Sequence, residues 1–127
     1  MNIIISINNI NENNIYFHDP IKNTVINNGY FIRILYSDKY IISNGIQLQF
    51  LNNISHYNIQ NICSIEKIIL NLYNPNVKHF LKIEDQINFN INKYSQCYKD
   101  ENFFIIKISG IWENQLGIGI TSKIIFC

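Results

Sequence analysis

The sequence predicts a mostly β fold with one or two short helices, arranged as a small OB-like barrel or a sandwich in a single domain over residues 1–127. Three observations lead there. Phe103 to Trp112 and Ile118 to Phe126 are rich in β-branched and aromatic residues, and Asn114-Gln115-Leu116-Gly117 separates them. Two such runs around an Asn/Gly turn fit a β-hairpin. Ile46 to Leu51 alternates strictly, with Ile46, Leu48 and Phe50 against Gln47 and Gln49, as a half-buried strand does. Only one stretch carries a clear helical stripe, and it interrupts the strands once.

The elements follow in chain order. Met1 to Ile10 alternates loosely as a first strand, and Asn11 to Asn14 is a polar break. Ile15 to His18 is short and apolar and ends at an Asp19-Pro20 turn. Asn23 to Ile26 is a weak strand, and Asn27-Asn28-Gly29 is a turn, since Asn and Gly tolerate positive φ. Tyr30 to Tyr36 is a strong strand, Ser37-Asp38-Lys39 a turn, Tyr40 to Ile42 a short strand, and Ser43-Asn44-Gly45 another turn. Beyond Asn52, Ser64 is a helix cap with Glu66 in the first turn. Ile65, Ile68, Ile69 and Leu72 then recur at helical spacing until Asn74-Pro75. His79 to Gln86 reads as a second short helix, and Ile87, Phe89 and Ile91 alternate with Asn as a strand. Gln96 to Asn102 is polar and leads into the final hairpin. There, alternation puts Phe104, Ile106, Ile108 and Trp112 on one face, and Ile118, Ile120, Ile124 and Phe126 on one face of its partner. Gly110 permits a bulge or a close backbone approach.

Composition narrows the function classes. The net charge is +1 and charged residues make up 15% of the chain, so no strong global field draws in polyanions or acidic membranes. There are 30 Ile, 22 Asn, no Ala and one Arg, Arg33. Residues with AT-rich codons are in excess, so an AT-rich genome accounts for the bias and the Asn runs need no prion-like reading. Cys63, Cys97 and Cys127 are odd in number and far apart, with no CxxC and no Cys/His cluster. No metal site or cofactor is expected. No secretory leader and no run of about 18 apolar residues is seen. The expectation is a reduced, intracellular, non-secreted protein without a membrane partner.

No catalytic motif is present, and the expected protein is not an enzyme. There is no nucleophile elbow. His18, His56 and His79 are far apart, and the acidic pairs Glu84-Asp85 and Asp100-Glu101 are neighbours that point apart on a strand or lie on a solvated surface. Gly110, Gly117 and Gly119 lack the Lys-Ser/Thr or GxGxxG context of a phosphate loop. The aromatic residues carry more promise. Eight Tyr and eight Phe interleave with Lys: Tyr36 and Tyr40 flank Lys39, Tyr94 and Tyr98 lie beside Lys93 and Lys99, and Lys107 and Lys123 fall in the hairpin. Single-strand binders combine stacking platforms with a basic groove. The candidate binding residues are Tyr36, Lys39, Tyr40, Lys107, Trp112 and Lys123.

The hairpin words Gly110-Ile111-Trp112-Glu113 and Gly119-Ile120-Thr121-x-Lys123 resemble the C-terminal hairpin of small proteins of large DNA viruses. Those are similar to the bacteriophage T7-type single-stranded DNA-binding proteins. Tyr36-Ser37, Asn44-Gly45-Ile46 and Ile65-Glu66-Lys67 fit the same pattern, so the resemblance spans roughly Tyr30 to Phe126. It implies an OB-like barrel and non-sequence-specific single-stranded DNA binding in viral replication or recombination, at a nuclear or cytoplasmic replication site of the host cell. Two features depart from it: no acidic residue follows Glu113, and the basic surplus is small. The alternative from another class is a viral structural or host-interaction protein that assembles through its β-domain, as a homo-oligomer joined at a strand edge.

Overall fold

The computed structural model describes residues 4–6, 9–23, 29–38, 40, 42–51, 56–93 and 103–126. After a 3-10 turn at Glu12–Asn14 the chain forms β1 (Ile15–Phe17), β2 (Ile21–Asn23), β3 (Gly29–Ser37), β4 (Ile42–Asn44) and β5 (Ile46–Leu51). Then come α1 (His56–Tyr73), β6 (His79–Phe80), α2 (Ile83–Lys93), β7 (Phe103–Glu113) and β8 (Ile118–Phe126). The fold is mostly β with two helices, as the sequence predicts.

The eight strands form one sheet with the path β1-β3-β7-β8-β6, and β2 and β4 also pair with β3 and β5 with β7. Two strands are long enough to serve several neighbours. One half of β3 (residues 29–33) meets β2 and β7, and the other half (residues 34–37) meets β1 and β4. Likewise β7 pairs with β5 through Phe103 to Ile108 and with β3 through Gly110 to Glu113. Among the described residues the sheet does not close into a barrel. The hairpin β7–β8 is its centre, as expected. Asn114 holds the turn, its Oδ1 accepting from the amides of Leu116 at 2.8 Å and Gly117 at 3.2 Å.

The inner face carries the core: Ile32, Ile34, Ile46, Leu48, Phe104, Ile106, Ile108, Ile111 and Ile118 are all nearly sealed from water. Ile62, Ile69 and Leu70 of α1, with Ile83 and Ile87 of α2, complete it. Burying side chains of this size stabilises the fold by about 1.5–3 kcal/mol each.

Several local expectations are corrected. Helix α1 begins at His56 rather than Ser64, whose hydroxyl instead donates to the Gln60 carbonyl at 3.0 Å within the helix. Its buried stripe is Ile62, Ile65, Glu66, Ile69 and Leu70, with Tyr73 partly buried, while Ile68 and Leu72 face outward. His79–Phe80 is a strand, and α2 absorbs the stretch from Ile87 that alternation marked as a strand. Ile83 and Ile87 lie one helical turn apart on the buried side, and Phe89 is exposed. Ser43 and Asn44 belong to β4, leaving Gly45, at a φ of +79°, as the corner into β5. The weak strand begins earlier than Asn23, at Ile21, and residues 24–28 lie outside the described ones, as do the Lys39, Cys97 and Cys127 positions. Of the first-strand expectation, residues 1–3 and 7–8 lie outside the described ones, and the described residues show one parallel bridge from Ile4 to Gln47.

One correction changes the site. A register shift between Ile108 and Gly110 inserts an extra residue into β7. Past this bulge the alternation inverts. Ile111 enters the core, and Trp112 moves to the face opposite Phe104, Ile106 and Ile108. Gly110 allows it, because a Cβ there would lie 2.4 Å from the Ile32 carbonyl oxygen.

The second helix depends on a buried acid. Glu66 is 2% exposed, and its Oε2 accepts from the amides of Lys82 at 3.0 Å and Ile83 at 3.3 Å. It thereby caps the start of α2 from α1. Burial pushes its carboxyl above the usual range, and the two amides pull partly back. Gln86 ties α2 to β8, accepting from the Ser122 hydroxyl at 2.8 Å. No helix among the described residues is long and apolar enough to cross a membrane.

Candidate functional site

Directly paired residues on neighbouring strands project to the same face. That rule assembles a row across the outer face of the sheet. Phe31 of β3 pairs with Trp112 of β7, Trp112 with Gly119 of β8, and Gly119 with Phe80 of β6. At about 4.8 Å per strand, the row spans about 14 Å. Each large ring lies over a glycine. A Cβ on Gly110 would sit 2.6 Å from the Phe31 ring, and one on Gly119 would sit 2.4 Å from the Trp112 indole. The indole and the Phe80 ring meet with centroids 5.5 Å apart. Both carry a cation: Lys82 Nζ is 5.8 Å from the indole centre, and Lys78 Nζ is 4.8 Å from the Phe80 centre.

A second group lies below the row on the same face. Arg33 of β3 pairs with Gly110, and Lys107 of β7 pairs directly with Lys123 of β8. Like charges opposed across a strand pair are unfavourable. An anion placed between them relieves that repulsion. Arg33 and Lys107 also line one cleft of about 620 Å³ with Phe31, Ser109, His18 and Asp19. The strands β3 and β7 supply its floor, and the His18–Ile21 segment and the Asn44–Gly45 corner supply its rim.

The structure brings three of the six candidates together: Lys107, Trp112 and Lys123 share the outer face. Tyr36 is corrected. It is 5% exposed in the core, where its hydroxyl accepts from the Asn11 amide at 3.0 Å and reaches the Asn9 carbonyl at 3.4 Å. A ring so enclosed offers no face for stacking. Tyr40 is 89% exposed but sits in the β3–β4 turn, at the far end of β3 from Phe31. Lys39 lies outside the described residues.

Sequence reasoning missed Phe31, Arg33, Phe80, Lys78 and Lys82. Alternation through Tyr30 to Tyr36 already separates Phe31 and Arg33 from Ile32 and Ile34, so those two had a signal. The other three had none, because only the parallel pairing of β6 with β8 carries them to Trp112.

Among the described residues, other reactive groups do not converge. Cys63 is half-buried on α1, its thiol pushed up chiefly by burial. His79 contacts the Asn74 carbonyl through Nε2 at 2.7 Å. Among the described residues no group of His, Cys, Asp and Glu is arranged to hold a metal ion. Comparison with protein-family models, with curated proteins and with solved structures returns no match.

Proposed function

We propose that the outer face of the sheet binds single-stranded DNA without strong sequence preference, in viral DNA replication or recombination. The observation that carries this reading is the aromatic row Phe31, Trp112 and Phe80 beside the cations Arg33, Lys107 and Lys123. The three rings are half-buried, and bases stack on the accessible part of such rings for about 1–3 kcal/mol each, whatever their identity. Cations facing the backbone add a salt-dependent term. Lys78 and Lys82, at the rings themselves, extend the positive surface along the row. Sequence tolerance follows, since every base has a π-face and every phosphate the same charge.

Trp112 is the only tryptophan, so its fluorescence reports on the row alone. Titration with a labelled strand of about 20 nucleotides is expected to raise anisotropy and quench Trp112 in parallel. Phe80→Leu and Lys107→Gln should each shift both curves to higher concentration. Absence of binding at micromolar protein in low salt would overturn the proposal.

A second reading has its own observation. Ile68 and Leu72 stand one turn apart on the outward side of α1, 38% and 45% exposed. This pair favours a protein that assembles through its surface. Light scattering that shows an oligomer, reduced to a monomer by Leu72→Asp, would support it.

A further inference from the structure

We propose that the cleft beside the aromatic row seats one nucleotide of the bound strand and prefers a base with an exocyclic amine, cytosine over thymine. The inference rests on the single-strand reading above and adds a base preference to it. A cleft of about 620 Å³ suits one nucleotide unit with its solvent. Arg33 and Lys107 come from adjacent strands of the floor and meet a phosphate there. Phe31 supplies an apolar surface for the ring at the point where the aromatic row ends.

Asp19 is the informative residue. At the rim of a cleft it shares with Arg33 and Lys107, its carboxylate is held by their charge and competes with a phosphate for them. The same carboxylate offers acceptors to a base edge. An ionised carboxylate only accepts hydrogen bonds. Cytosine presents an amine donor at N4, and thymine presents the carbonyl O4 at the equivalent position. A carboxylate therefore attracts one and repels the other. Asn44, also on the rim, has both donors and an acceptor and accommodates either base. The preference is set at one position and leaves the rest of the strand read by stacking and charge.

The test compares oligodeoxycytidylate and oligodeoxythymidylate of equal length by competition anisotropy. The two bases are both pyrimidines, so size and stacking are closely matched. The wild-type protein is expected to favour the cytidine strand by about fivefold. Asp19→Asn should erase that ratio, because an amide both donates and accepts. Asp19 is exposed, so the exchange leaves the core untouched. The variant also loses a negative charge, which raises affinity for both strands alike, and the ratio is insensitive to that. Equal binding of the two strands by the wild type, or an unchanged ratio in Asp19→Asn, overturns the inference while single-strand binding stands. If neither strand binds, the single-strand reading falls and this one with it.

Discussion

Glu66 carries more of the fold than a single acid usually does. Its side chain leaves α1, reaches the start of α2 and accepts two amides that no helical carbonyl serves. Removing it in Glu66→Ala leaves both donors unsatisfied, at a cost of about 1–3 kcal/mol. The pH dependence has a definite sign. Burial raises the folded-state carboxyl above its ordinary value of 4.5. The charged form is therefore disfavoured in the fold. Stability linked to Glu66 is full below the ordinary value and is lost as pH rises through the raised one. Glu66→Gln keeps an acceptor for both amides and cannot ionise. In urea unfolding, the variant should gain on the wild type as pH rises from below the ordinary value through the raised one. A difference that stays constant over that range would show that the carboxyl titrates alike in the folded and unfolded chain.

At the scale of elements, the hairpin was legible and its bulge only half so. β-branched runs around an Asn/Gly turn announced β7 and β8, and Gly110 announced some irregularity. Alternation alone could not say that the irregularity inverts Trp112, because an inserted residue leaves composition unchanged. α2 was misread for a related reason. Ile87, Phe89 and Ile91 satisfy a period of two, while Ile83 and Ile87 satisfy a helical turn, and only the cap from Glu66, distant in sequence, decides between them. The early start of α1 had a local signal in Ile59 and Ile62, which extend the stripe backwards by a turn or two. The bulge also predicts a shared fate for fold and site. In Gly110→Ala the new Cβ meets the Ile32 carbonyl and the Phe31 ring, both closer than 3 Å. Overpacking of this kind costs about 1–3 kcal/mol. The denaturation midpoint should fall, and single-strand affinity should fall with it, because Phe31 shifts. A variant with wild-type stability and affinity would mean that the bulge absorbs the extra methyl freely.

Across the whole molecule the two faces divide the labour. The inner face meets both helices and holds the core, and the outer face gathers Arg33, Lys107 and Lys123 with the aromatic row. A net charge of +1 gives no warning of this, since the asymmetry lies in placement and not in sum. Placement follows from register, and register from turns and bulges that a charge count does not see. Electrostatics concentrated on one face makes a quantitative prediction. Each phosphate contact to a single strand adds about 0.7 to the slope of log affinity against log salt. Arg33→Gln combined with Lys107→Gln should therefore flatten the slope by about 1.4. Quenching of Trp112 at saturation should persist in this variant, because the rings remain. Phe80→Leu should do the reverse, lowering affinity and changing the quench while the slope holds. The two variants thus separate a phosphate contribution from a stacking contribution on one surface. A slope unchanged by the double substitution would move the phosphate path away from the cleft, towards Lys78 and Lys82 at the other end of the row.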